Sequence, residues 1–322
     1  MMDRTLLQVE DLRTYFFTRR GVVKAVDGVT FSLERGESLG IVGESGCGKT
    51  MTSLSILRLL PEPAGRIVGG RIIFDGDDLL LKSQAAMRTI RGRKISIILQ
   101  DPMTSLNPAL TVGEQIAEVI RLHQKVERRS VREKVIEALE LVKISSPEAR
   151  LSNFPHQMSG GMRQRVSGAI ALSCQPLLLI ADEPTTSLDV TIQAQYLRLL
   201  KEIQQESHMG MIFITHDFGI VARMCDRVAV MYAGRIVETT HTRNLFNDPR
   251  HPYTIALLNC LPRLQEEQQD LAGIEGQPPD LGHLPGGCRF APRCRRKKRI
   301  CEQEYPKEIK VGDDHYVSCW LD

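Results

Sequence analysis

Apolar and polar residues alternate from Leu7 to Leu33, the pattern of strands with one buried face, and a turn near Arg19 to Gly21 divides them into an antiparallel pair. Ser38 to Val42 is instead a short run suited to a strand covered on both faces, and a helix-compatible run from Lys49 to Leu60 follows it. Pro61 to Gly70 reads as a breaker-rich connection, with strands next at Arg71 to Phe74 and Lys94 to Leu99, the latter ending at Gln100. From Asp101 the period becomes helical: Val112, Ile116, Val119 and Ile120 share one face, and Val131, Val135, Leu139 and Val142 share another. Ser130 followed by Glu133 has the form of a capping box at the second of these helices. The segment from about 101 to 158 is therefore expected to be a helical subdomain inserted into an α/β core. That core resumes with a helix from Gly160 to Cys174, a buried strand from Leu177 to Ala181, a helix marked by Ile192, Tyr196, Leu199, Leu200 and Ile203, and a strand from Met211 to Ile214.

Between the strand ending at Val42 and the helix beginning at Lys49 lies Gly43-Glu44-Ser45-Gly46-Cys47-Gly48-Lys49-Thr50, which matches the phosphate-binding pattern G-x-x-x-x-G-K-[ST]. An ordinary glycine-rich turn is the bland alternative, but the strand before and the helix after are the context the motif requires. Such glycines let the backbone turn several N–H groups onto one anion, helped by the positive end of the helix dipole. Lys49 is then expected on the β- and γ-phosphates, the Thr50 hydroxyl on Mg2+, and Met51 among the nucleotide-binding positions.

Three further stretches fall where the α/β pattern delivers chain ends. Ser159-Gly160-Gly161 opens a helix and aims N–H groups and a hydroxyl at an anion. Asp182-Glu183 closes a buried strand, where carboxylates are costly unless they serve a metal or a reaction: Asp182 suits Mg2+ through water, and Glu183 suits polarising an attacking water. Thr215-His216-Asp217 is carried to the same strand ends. Of Tyr15, Phe16 and Phe17, one is a candidate to stack on an adenine, with ordinary strand-core aromatics as the equal alternative.

Composition narrows the class. The chain has 322 residues, 42% hydrophobic and 25% charged, which fits one large or two modest globular domains. A net charge of +3 is too small to argue for nucleic acid. No apolar run approaches the roughly 18 residues of a membrane span, and no basic-then-apolar signal opens the chain, so a cytosolic protein reaching the membrane through partners is expected.

With these residues in hand, the chain resembles the ATPase subunit of an ABC transporter over roughly Leu7 to Glu238. The resemblance includes the phosphate loop, Gln100 of the Q-loop, the signature Met158-Ser159-Gly160-Gly161-Met162-Arg163-Gln164-Arg165 and the Walker B strand from Leu177 to Glu183. It also includes Ser187-Leu188-Asp189 of the D-loop and Thr215-His216-Asp217 of the H-loop. Met158 and Met162 stand where the family usually has leucine and glutamine, and Cys47 where it has a small residue such as serine; none of them is a group assigned to chemistry. Gln100 to Pro108, Pro155-His156-Gln157, Ala181 to Thr186, and Pro249 to Thr254 with Leu257-Leu258 resemble the dipeptide, oligopeptide and nickel importer branch.

The resemblance implies a P-loop NTPase core with an antiparallel β subdomain and an inserted helical subdomain, spanning residues 1–239. A small Cys-rich irregular C-terminal extension spans 240–322. It implies Phe16 on the adenine, Thr50, Gln100 and Asp182 around Mg2+, and Glu183, His216, Lys49 and Gln100 in hydrolysis. Ser159, Gly160, Gly161 and Asp189 are implied on nucleotide held mainly by the other subunit of a head-to-tail ATPase pair, homodimeric or with a sister subunit. The implied partners are two membrane permease subunits and an extracellular or periplasmic substrate-binding protein, with no nucleic acid, at the cytoplasmic face of the membrane. A peptide is the implied cargo, with nickel or a metal chelate as the alternative. An ABC translation factor would carry two nucleotide domains and a DNA-repair ATPase a long coiled coil, and neither pattern is present.

The tail differs in composition. After Pro278-Pro279, Gly282, Pro285 and Gly286-Gly287 come Cys288, Cys294, Cys301 and Cys319, whose wide gaps lack the tight pairs usual for structural zinc. Four thiols in a reducing compartment favour a metal over disulfides. Arg289, Arg293, Arg295, Arg296, Lys297, Lys298 and Arg299 interleave with them, either to offset thiolate charge or as a solvated basic loop. The importer branch with this Cys pattern implies a [4Fe-4S] cluster first, zinc second and unliganded thiols third.

Overall fold

The computed structural model describes residues 4–101, 105–261 and 273–321. The chain forms two compact units of discontinuous sequence. One takes the chain through Leu6, Leu33–Ser38 and Asp75–Ile214; the other takes Leu7–Ser32, Leu39–Phe74 and the chain from Thr215 onward.

In the first unit Leu178–Asp182 is the middle of three parallel strands, with Ile95 opposite Leu178 on one side and Leu178 opposite Gly210 on the other. All five of its residues are buried, which is why the run is almost wholly apolar until Asp182. The strand Gly210–Thr215 is buried throughout as well. The 101–158 region supplies the helices Val112–His123 and Val131–Leu141, whose apolar faces include Val112, Ile116 and Ile120 in the first and Val131, Val135 and Leu139 in the second. The capping box sits on the first of them, where the Thr111 side chain accepts from Glu114 N–H and Glu114 accepts from Thr111 N–H. Ser130 does not cap as its sequence suggests. The 3-10 turn Arg128–Ser130 runs directly into the next helix, leaving Ser130 in the helical rather than the extended region a capping residue needs.

In the second unit Thr5–Thr18 lies between Gly21–Glu34 and Gly65–Phe74. The segment from Gly65 to Gly70, read from sequence as part of a breaker-rich connection, is strand. Its glycines answer to close approach: a Cβ at Gly65 would meet Phe16 Cε1 at 2.9 Å, and Gly70, at φ 95°, sits beside the register shift at Glu10 and Arg13, where a Cβ would meet Asp11 O at 2.6 Å. Ser38–Val42 runs parallel to Arg227–Tyr232, with Leu39 opposite Arg227. Arg235–His241 pairs antiparallel with Arg227–Tyr232 on one side and His315–Val317 on the other, and His315–Val317 pairs in turn with Ile309–Gly312. The end of the tail is thus strand rather than irregular chain: Glu238 lies opposite Val317 and Thr239 opposite Tyr316.

Candidate active site

The buried strand Ser38–Val42 leads into Gly43, and the helix Lys49–Ile56 begins six residues after that glycine. Gly46 and Gly48 take φ of 77° and 112°, a region L side chains rarely adopt, and a Cβ at Gly48 would stand 2.3 Å from Ala25 O. The chain folds back so that Lys49, 5% exposed, donates from Nζ to Gly43 O at 2.8 Å and Glu44 O at 3.0 Å. Ser45 and Gly46 are exposed at the tip, Thr50 and Met51 are half-buried, and Cys47 is buried, with burial pushing its thiol up. A buried ammonium held against the loop's own carbonyls at a helix N-terminus is a cradle for an oxyanion.

Of the aromatics in the second unit, Tyr15 donates its hydroxyl to Asp27 at 2.5 Å, and burial followed by that bond pushes its pKa up to about 12. Phe17 carries the Arg66 guanidinium 5.6 Å from its ring centroid. Phe16 is half-buried opposite Gly65. His216 is exposed just before the helix Phe218–Met224, which Asp217 caps by accepting from Gly219 and Ile220 N–H.

In the first unit, Asp182 is 2% exposed at the end of its strand. Glu183 follows with φ 45°, fixed by its N–H on Ile214 O at 2.9 Å. Its Oε2 accepts from Gln100 Nε2 at 3.0 Å and from Thr186 Oγ1 at 3.1 Å, so the structure brings together Gln100 and Glu183, two residues singled out from sequence 83 positions apart. Thr186 was missed as a partner of Glu183; its place three residues on, in a turn, is the signal that would have found it. Pro102, Met103 and Thr104 of the stretch after Gln100 lie outside the described residues.

Ser159 is exposed and caps the helix Gly160–Leu172, its hydroxyl accepting from Met162 N–H at 3.3 Å. A Cβ on Gly160 would meet nothing within 4 Å, whereas one on Gly161 would meet Ile192 Cγ2 at 2.6 Å. Gly160 therefore leaves the helix start open, and Gly161 lets it approach the helix Val190–Ser207. Asp189, exposed, caps that second helix by accepting from Ile192 N–H at 3.0 Å.

Residues 26–186 match the family ABC transporter, and residues 237–301 match the family Oligopeptide/dipeptide transporter, C-terminal region. The dipeptide transport ATP-binding protein DppD of Bacillus subtilis (strain 168) is 51% identical over 98% of this chain and 94% of its own length. The chain belongs to the ABC transporter family. A second ABC relative, the oligopeptide transport ATP-binding protein OppD of the same organism, is 51% identical over 98% of this chain and 88% of its own length. The fold is that of an ABC cassette: the dimeric post-hydrolysis structure of the ATP-binding cassette MJ0796 bound to ADP and Pi superposes with a TM-score of 0.67, at 23% identity, over 74% of this chain and 99% of that one.

The tail corrects the sequence reading of an iron–sulphur or zinc centre on Cys288, Cys294, Cys301 and Cys319. Among the described residues no group of three or more His, Cys, Asp or Glu side chains is arranged to hold a metal ion. Burial pushes the Cys288 and Cys294 thiols up. Cys301 Sγ accepts from Lys298 N–H at 3.4 Å. None of the eight cysteines is in a disulfide. Two of the interleaved arginines serve neither a cluster nor a solvated loop: Arg289 pairs with Asp27, and Arg293 with Glu44.

Proposed function

We propose that this chain is the ATP-hydrolysing subunit of a binding-protein-dependent importer of dipeptides or oligopeptides. The observation that carries the reading is the 51% identity to a protein named as a dipeptide transport ATP-binding protein over 98% of the chain. The match of residues 237–301 to the peptide-transporter C-terminal family supports it, and the names of these relatives favour peptides over nickel or a metal chelate. On this reading residues 1–239 form the ATPase and 240–322 its extension. Two permease subunits, a second ATPase subunit and an external binding protein complete the assembly, with this subunit peripheral at the cytoplasmic face. Among the described residues no helix is long and apolar enough to cross a membrane, which fits a subunit attached through partners.

The residues divide the chemistry. The phosphate loop, Gly43, Glu44, Ser45, Gly46, Cys47, Gly48, Lys49, Thr50 and Met51, binds the phosphates through backbone N–H groups and the Lys49 ammonium, and Phe16 stacks on the adenine. Thr50, Gln100 and Asp182 each carry an oxygen that would suit Mg2+, and the ion would offset phosphate charge. Glu183 takes a proton from the attacking water at its carboxylate, oriented by Gln100 and Thr186. His216 donates to the γ-phosphate as charge develops there. Ser159, Gly160, Gly161 and Asp189 serve the nucleotide of the partner ATPase.

The deciding measurement is ATPase activity of the chain with its permeases in proteoliposomes, given binding protein loaded with dipeptide, oligopeptide or nickel chelate. Stimulation by the peptide-loaded forms alone is expected. Stimulation only by the metal-loaded form would keep the ATPase and overturn the cargo.

A further inference from the structure

The phosphate loop contains an acid, Glu44, at a place built to bind phosphate, and an uncompensated carboxylate there would repel its ligand. The carboxylate is held by a fork: Arg293 Nη1 donates to Glu44 Oε2 at 2.7 Å and Nη2 to Oε1 at 3.0 Å. The Arg293 side chain is 4% exposed and that of Glu44 26%, so the pair is largely withdrawn from screening by solvent. The remaining Arg293 contacts anchor the fork: Nε donates to Glu275 O at 3.1 Å, Nη2 to Ile274 O at 3.4 Å and Nη1 to Tyr232 Oη at 3.4 Å. Glu44 is gripped at its backbone too, where its N–H donates to Tyr253 Oη at 3.0 Å. Tyr253 is wholly buried, its ring 4.5 Å from that of Tyr232 and 5.3 Å from that of Phe290.

We infer that Arg293 is a positioning residue for the nucleotide: it neutralises and orients Glu44 and, with Tyr253, sets the conformation of the loop's first turn, so the C-terminal region tunes ATP affinity. Arg293 acts through Glu44 without touching the ligand. A guanidinium stays protonated at all working pH, and its planar fork matches both carboxylate oxygens, so lysine is no equivalent replacement. The inference rests on the reading of Gly43 to Thr50 as the ATP-binding loop.

The test uses the 322-residue chain, with trinitrophenyl-ATP as the binding probe, and the assembled transporter for KM and kcat. Arg293→Ala is expected to weaken probe binding and raise KM for ATP about tenfold, with kcat within about twofold of wild type. Arg293→Lys is expected to recover part of the affinity. Arg293→Gln combined with Glu44→Gln is expected to bind tighter than Arg293→Gln alone, because the orphaned charge has gone. Unchanged KM in Arg293→Ala, or a fall in kcat at constant KM, overturns the inference. Should Arg293→Ala fail to fold, the pair of glutamine variants decides, and additive effects overturn it. Failure of the wild-type chain to bind the probe removes the reading of the loop and the inference with it. Wild-type binding with no change in Arg293→Ala removes the inference alone.

Discussion

Glu183 concentrates several constraints in one side chain. Its φ of 45° places a non-glycine residue in the left-handed region, at a cost of about 1 to 3 kcal/mol, and its N–H bond to Ile214 O keeps it there. With Gln100 and Thr186 both on Oε2, the carboxylate has one fixed orientation. Glu183→Gln is expected to bind ATP and to hydrolyse it about 100-fold or more slowly in steady-state assays, and near-normal turnover would remove Glu183 from its role. Gly48 is constrained by shape rather than chemistry. Gly48→Ala places a Cβ 2.3 Å from Ala25 O at a φ of 112°, and is expected to cost about 3 kcal/mol in urea unfolding. The glycine spacing around Lys49 was legible because the phosphate loop is a local motif; that Ala25 supplies the wall at Gly48 was not, because it depends on packing.

Helix ends are where local sequence both guides and misleads. Thr111 with Glu114 and Ser130 with Glu133 offer the same pattern, and only the first forms a capping box, because the turn before Ser130 is already helical. The helix Pro252–Asn259 is capped by an unusual residue: His251 Nδ1 accepts from Tyr253 N–H at 3.1 Å, while His251 N–H donates to Glu238 Oε2 at 2.9 Å. A ring nitrogen that accepts must be unprotonated, in keeping with burial lowering the His251 pKa from 6.5 to about 3. The folded state therefore binds fewer protons than the unfolded state between those values, so this group's contribution to stability is whole above about pH 6.5 and falls as pH drops towards 3. From pH 7.5 to 5.5 the wild-type chain is expected to lose about 1 kcal/mol more unfolding free energy than His251→Asn, whose shorter side chain can still cap. Equal losses in paired urea titrations would mean that His251 is not neutral in the fold.

Over the whole second unit, buried or half-buried carboxylates are matched by basic side chains far along the chain. Asp27 and Arg289 are 262 positions apart, Glu44 and Arg293 249, and Glu238 and His315 77. Sequence marked the basic run around Arg293 and left open whether it faced thiolates or water. Nothing local selects Arg289 for Asp27, since the two side chains meet only through the tertiary fold. The same distance explains why the tail reads as irregular from its prolines and glycines, although its final hairpin completes that sheet. The match has an energetic consequence. Asp27 and Arg289 have side chains 8% and 7% exposed, and breaking a buried pair by removing one partner costs about 3 to 5 kcal/mol. A chain ending at Gly282 loses Arg289, Arg293 and the strands that extend the sheet beside Arg235–His241 together, a large share of the roughly 5 to 15 kcal/mol that holds a typical domain folded. Such a chain is expected to lack a cooperative urea transition and to bind no trinitrophenyl-ATP. A sharp transition near that of the full chain would instead make the tail a separable appendage, and the charge pairs too weak to govern the phosphate loop.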